Sequence, residues 1–142
     1  LVEEYIYDKI SIIHADLFPD NIFFTKNKVS GIIDFYFACN DFFAYEIAIC
    51  INSICFDNNS TFNMTKAKNL IDGYSSIRTL GEEEKKFLPI LSMGAAMRFF
   101  LTRLHDFYHT DNKAEVKIKD PFEYFKKIEF HSTIKNFNEY FI

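Results

Sequence analysis

His14-Ala15-Asp16-Leu17-Phe18-Pro19-Asp20-Asn21 fits the pattern H-x-D-x-x-x-x-N, and the rest of the chain is best read outward from it. On its N-terminal side, Ile10-Ser11-Ile12-Ile13 is short and rich in β-branched residues, a strand that delivers the chain into a polar loop. On its C-terminal side, Ile22–Thr25 and Val29–Phe35 are two β-prone runs joined by Lys26-Asn27-Lys28, the composition of a tight hairpin. Asp34 stands at the end of the second run. Gly31 lies inside it, where a bulge or a close backbone approach is the usual reason for glycine. Pro19 stiffens the turn within the loop.

This arrangement carries the groups that phosphoryl transfer requires. One carboxylate must accept the proton of an acceptor hydroxyl and orient it for in-line attack, while an amide oxygen and a second carboxylate hold the magnesium ions that neutralise a triphosphate. A loop followed by a hairpin can bring Asp16, Asn21 and Asp34 to one cleft. Asp16 is then the expected base, and Asn21 and Asp34 are the expected metal ligands and hence the cofactor-binding residues. His14 is expected to organise the loop through hydrogen bonds rather than to take part in the chemistry.

Beyond the hairpin the pattern turns helical. Asp41 can cap a helix in which Phe43, Ile47, Ile51 and Ile54 recur at helical spacing, with Ala48 and Cys55 beside them. Asn63–Ile77 reads as a second helix with Gly73 as a weak spot, and Gly81-Glu82-Glu83-Glu84 puts acids in a first turn. Pro89 is expected to mark a break, followed by a long apolar helix over Ile90–Tyr108 in which Gly94, Ala95 and Ala96 let a neighbour approach. Asp120-Pro121 opens a last helix with Phe122, Phe125, Ile128 and Phe137 as its core stripe. The expected fold is α+β and mainly helical, a single domain over 1–142 with the loop and hairpin at 10–41 on a helical body at 42–142.

Composition sets the outer limits. The chain has 142 residues, 49% hydrophobic and 25% charged, with a net charge of −4, which argues against a sequence-independent nucleic-acid partner. No apolar run is read as a membrane span, and no membrane partner is expected. Cys39, Cys50 and Cys55 make neither a disulfide framework nor a zinc knuckle, which fits a reducing, cytoplasmic setting. The chain starts at Leu1 with its densest chemistry in the first 46 residues, so a preceding segment is expected.

Other side chains have two readings each. Arg98 and Arg103 can hold a substrate carboxylate or pair with the abundant acids of the chain. His105 and His109 are four apart, a spacing that zinc sites use, but no cysteine or glutamate pattern accompanies them. Cys39 is expected to be a small buried residue, and Lys126-Lys127 a solvated face.

Taken together, His14–Asn21 and Gly31-Ile32-Ile33-Asp34-Phe35-Tyr36-Phe37-Ala38-Cys39-Asn40-Asp41 resemble the bacterial homoserine kinases built on the aminoglycoside-phosphotransferase/choline-kinase-like fold. Tyr45–Asn52, Gly94–Asp106 and Lys119–Tyr124 continue the likeness, so that it covers nearly the whole chain. The H-x-D-x-x-x-x-N and Asp34 elements are common to the superfamily, whereas the Asp34–Cys39 and Arg98–Arg103 runs point to homoserine kinase. The resemblance implies ATP and magnesium as cofactors, homoserine as acceptor, and phosphorylation of its side-chain hydroxyl on the route to threonine. Choline, aminoglycoside or methylthioribose kinase-like chemistry stays open, as does a non-catalytic, self-associating remnant. The family's N-terminal lobe, with its phosphate-covering loop and lysine, has no counterpart here, which implies a C-terminal lobe portion that is an incomplete kinase by itself. Glu46 stands where the family pattern leads one to expect aspartate.

Overall fold

The computed structural model describes residues 9–109 and 119–141. Four short strands come first: β1 (Ile10–Ile13), β2 (Ile22–Thr25), β3 (Lys28–Ile32) and β4 (Cys39–Phe42). Four helices follow: α1 (Phe43–Ile54), α2 (Met64–Ser75), α3 (Glu82–His109) and α4 (Phe122–Thr133). Single 3-10 turns occupy Pro19–Asn21 and Phe35–Phe37, and a longer one covers Phe137–Phe141. The described part is therefore α+β and mainly helical, with the strands in two small antiparallel ribbons.

The ribbons are nested. β2 and β3 form the inner hairpin around a two-residue turn, Lys26–Asn27, with φ of 50° and 61°, the left-handed pair whose twist suits a tight hairpin. Lys28 belongs to the strand, not to the turn. Phe23 faces Gly31 and Phe24 faces Val29, so Ser30 bulges. Gly31 neighbours that bulge in open space, since a Cβ there would meet nothing within 4 Å. The second run leaves the ladder at Ile32, and Phe35 enters a 3-10 turn.

β4 departs from the sequence reading, which has a helix starting at Asp41. It pairs with β1 from Ile10↔Phe42 to Ile13↔Cys39 and so closes an outer ribbon around the inner one. Asp41 faces Ser11, and its carboxylate accepts the Phe42 N–H at 2.7 Å. Phe43 donates its N–H to the Lys9 carbonyl at 3.0 Å, so the free edge of β1 takes up the chain as far as the start of α1. Cys39 is consequently exposed on the ribbon, not buried.

α1 is the central helix. Ala44 and every residue from Ile47 to Asn52 are buried, which compensates for the weak helix propensity of its isoleucines; each fully buried one contributes about 1.5–3 kcal/mol. It packs on α3, which packs in turn on α4. α3 runs unbroken through Pro89. The proline forfeits one helical hydrogen bond, but the helix is anchored on both sides of it. Before it, Glu84 accepts the Gly81 N–H at 2.9 Å and pairs with Arg78 at 2.9 Å and Lys9 at 3.7 Å. After it, Ser92, Ala95, Ala96 and Phe99 are buried. Gly94 faces open space, so the small contact residues are the two alanines. By length and composition α3 could cross a bilayer, which differs from the sequence expectation of no such run; here it is the long helix packed against α1 and α4.

Asn63 caps α2 by accepting the Lys66 N–H at 3.0 Å, and Asp120 accepts the Phe122 N–H at 2.9 Å at the start of α4. The last helix stops at Thr133, leaving Phe137 in the following 3-10 turn, while Phe122 and Phe125 are exposed. Lys127 is also unlike its expected solvated face: it is only 4% exposed, its ammonium taken up by Glu123 at 2.7 Å and the Asn52 carbonyl at 3.0 Å.

Candidate active site

The nested ribbons bring two segments together, the loop leaving β1 and the segment entering β4. Ile33 joins them through both of its backbone groups. Its N–H donates to the Asn21 carbonyl at 3.1 Å, extending the β2–β3 ladder by one step. Its carbonyl accepts from His14 Nε2 at 2.8 Å. His14 Nδ1 accepts the Asp16 N–H at 3.3 Å, so a neutral, Nε2-protonated imidazole satisfies both contacts. The Phe35 ring packs against the imidazole at 4.7 Å between centroids. His14 therefore holds Asp16 by its own N–H and Asp34 through the preceding residue, Ile33.

Asn21 closes the loop from its other end, its Nδ2 donating to the Asp16 carbonyl at 2.9 Å. That bond orients the amide and leaves Oδ1 for another partner. Asp34 is exposed and left-handed at φ 65°, ψ 59°, a conformation that a short polar residue tolerates best. Burial pushes the Asp16 carboxyl above the usual carboxylate range; the Arg98 guanidinium opposes the shift and the Asp34 carboxylate adds to it. Asn21 Oδ1 and the Asp34 carboxylate are hard oxygen donors of the kind magnesium takes. Among the described residues no three His, Cys, Asp or Glu side chains gather as a metal cluster. This donor set suits a cation that takes its other ligands from phosphates and water.

The helices hold the loop from beneath. Glu46 on α1 accepts the Ala15 N–H at 2.9 Å, and Ser53 on α1 donates to the Leu17 carbonyl at 2.7 Å. Arg98 on α3 donates to the Ala15 carbonyl, and its Nη2 lies 3.9 Å from Asp16 Oδ1. Phe18 meets Phe99 edge to face at 5.0 Å.

The family model described as phosphotransferase enzyme family (APH) matches residues 4–80, which hold the whole of this loop, both ribbons and α1. The chain belongs to the phosphotransferase enzyme family. Among its curated relatives, a protein named homoserine kinase from Agrobacterium fabrum (strain C58 / ATCC 33970) is 54% identical over 129 residues, 91% of this chain and 40% of the relative. The homoserine kinases of Sinorhizobium medicae (strain WSM419) and Nitrobacter hamburgensis are 56% and 54% identical over the same shares. The chain thus spans about 40% of the length of the relatives it matches.

Around this loop the two arginines part company. Arg98 faces the loop. Arg103 turns to α4, donating to Glu123 at 2.8 Å and to the Asp120 carbonyl at 3.2 Å, 4.4 Å from the Tyr124 ring centre. Its guanidinium is occupied by this chain's own carboxylate. His105 and His109 stack at 4.2 Å on an exposed face. The H-x-D-x-x-x-x-N pattern contains neither Ser53 nor Glu46. Their signal was available: Glu46, Asn52 and Ser53 are the hydrophilic residues of an otherwise apolar helix, and each takes up a partner outside it.

Proposed function

We propose that this chain is the catalytic-loop-bearing, C-terminal part of a homoserine kinase, transferring the terminal phosphoryl group of ATP to the side-chain hydroxyl of homoserine. The observation that carries the reading is the joint placement of Asp16 and Asp34 by His14, with Asn21 closing the same loop. The homoserine kinase names of the relatives supply the acceptor. Asp16 receives the hydroxyl proton and orients its oxygen; a carboxyl kept partly out of water and opposed by Arg98 is suited to holding a proton transiently. Asn21 and Asp34 would hold magnesium, which when bound neutralises the charge on the phosphates. Arg98, the arginine that faces the loop, is the available guanidinium for an acceptor carboxylate. Exposed Phe23, Phe24, Ile32 and Tyr36 around the inner hairpin form an apolar surface for the remainder of a longer enzyme.

The test is homoserine-dependent ADP release with Mg-ATP. Asp16→Asn is expected to lower turnover by about 100-fold or more while leaving the unfolding midpoint nearly unchanged. Near-normal turnover in that variant would remove Asp16 from its role. Preferential turnover of choline or an aminoglycoside would overturn the acceptor, and a folded enzyme in which this chain is joined to the remainder of its length and which binds neither Mg-ATP nor homoserine would overturn the kinase reading as a whole.

A further inference from the structure

Ala15 is 2% exposed and left-handed at φ 60°, an uncommon backbone state for a residue with a Cβ. Two charged side chains from different helices meet at it. The Glu46 carboxylate of α1 takes its N–H at 2.9 Å, and the Arg98 guanidinium of α3 takes its carbonyl. Both bonds are charge-assisted, the stronger class of hydrogen bond, and each places the charge opposite the backbone dipole it contacts. The pairing also leaves polar atoms behind: Glu46 Oε1 and Arg98 Nε are buried with no partner. Buried orphans of this kind are rare, and both belong to the two side chains that hold the Ala15 peptide. We propose that Glu46 and Arg98 are positioning residues that grip the Ala15 peptide from both sides and so aim Asp16, the next residue, from the α1–α3 pair.

This goes beyond a carboxylate-binding role for Arg98, and its catalytic meaning rests on Asp16 being the proton acceptor. Ser53 and His14 hold other atoms of the loop, so the grip on Ala15 is a separable element.

The experiment is residue-resolved amide exchange on the full chain, which reads the grip whether or not the chain turns over homoserine. Glu46→Ala and Arg98→Met are each expected to speed exchange at Ala15 and Asp16 by about tenfold or more, with the Ile49–Ile51 amides of α1 unchanged. Arg98→Lys should restore part of the protection, and in the turnover assay Arg98→Met should lower kcat as well as raise the KM for homoserine, the fall in kcat reading the grip and the rise in KM the contact with the acceptor carboxylate. Wild-type exchange at Ala15 in Arg98→Met would overturn the proposal. So would equal acceleration at Ile49–Ile51, which is general loosening, or a raised KM with unchanged kcat, which is a ligand's signature. Should Glu46→Ala fail to fold, the two Arg98 variants decide.

Discussion

Two polar clusters share α1, each with a histidine, an asparagine, a carboxylate and a cation, and they are built in opposite ways. Around Ala15, side chains bind loop backbone: His14 takes Ile33, Asn21 takes Asp16, and Glu46 and Arg98 take Ala15. Around Asn52, side chains largely bind one another across regular helices. Asn52 Nδ2 donates to the Ala48 and Ser92 carbonyls at 2.9 and 2.8 Å, and its Oδ1 meets His131 Nε2 at 3.1 Å. His131 Nδ1 meets the Tyr140 hydroxyl at 2.9 Å. Lys127 joins Glu123 to the Asn52 carbonyl, and Arg103 takes the other Glu123 oxygen. The second cluster largely buries its cations, Lys127 and Arg103, against a Glu123 that still reaches solvent, and joins four chain segments. The first spends its hydrogen bonds on backbone, and Asp34 beside it stays exposed. One arrangement glues the helices; the other aims a carboxylate.

Removing the centre of the helix cluster is the strongest way to break that contrast. Asn52→Ala strands His131 Nε2 and takes from the Ser92 carbonyl its contact beyond its own helix, in a site that is 0% exposed at Asn52, so about 2–4 kcal/mol of stability should be lost. A urea midpoint measures it. Asp16→Asn, by contrast, should hardly move that midpoint. A loss below about 1 kcal/mol for Asn52→Ala would mean that the network is relaxed by water or by repacking.

The clusters also titrate with opposite sign. Burial, with the Lys127 ammonium nearby, pulls the His131 pKa down to about 3 from the ordinary 6.5. The unfolded chain then takes up a proton that the native state refuses, so stability falls as pH drops below about 6.5 and goes on falling toward about 3. Between pH 7.5 and 5 the loss is about 2 kcal/mol. Burial works against the Glu123 carboxylate too, yet Lys127 and Arg103 hold it below its ordinary range, so its contribution is likewise lost in acid. Asp16, raised by burial, runs the other way: its native state favours the proton, and that stability is present below the unfolded pKa and lost as pH rises through the folded one. His131→Gln should flatten the pH 5–7.5 slope of the urea midpoint. An unchanged slope would place the titration elsewhere.

The loop cluster was largely legible in the sequence because its residues are close along the chain and joined by one pattern, H-x-D-x-x-x-x-N. The inner hairpin was legible for the same reason, since Lys26–Asn27 is a local turn signal. β4 was not: its pairing with β1 depends on an edge that exists only after the inner hairpin has folded back. The continuity of α3 through Pro89 was hidden too, because the anchoring of Glu84 by Arg78 and Lys9 is tertiary. Lys127 reads as surface from Lys126-Lys127, and its burial depends on Glu123 one turn back and Asn52 on another helix. Arg98 and Arg103 look equivalent on one apolar helix, and only their neighbours separate them.

The smallest effect sharpens the comparison most, because one substitution should change sign between the two regions. Ala48 sits in the middle of α1, 0% exposed, and its carbonyl accepts from Asn52 Nδ2. Glycine there adds unfolded-state freedom and removes a buried methyl, so Ala48→Gly should destabilise by about 1 kcal/mol or more. Ala15 is held at φ 60°, where a Cβ is strained by about 1–2 kcal/mol. Glycine at that position relieves the strain against an entropic loss of about 0.5–1 kcal/mol, so Ala15→Gly should be neutral or stabilising by up to about 1 kcal/mol. If Ala15→Gly instead destabilises as Ala48→Gly does, the Ala15 methyl contributes by packing, and the grip of Glu46 and Arg98 holds a relaxed peptide. If the signs differ, those two side chains maintain a strained backbone next to Asp16, which the helix cluster has no counterpart for.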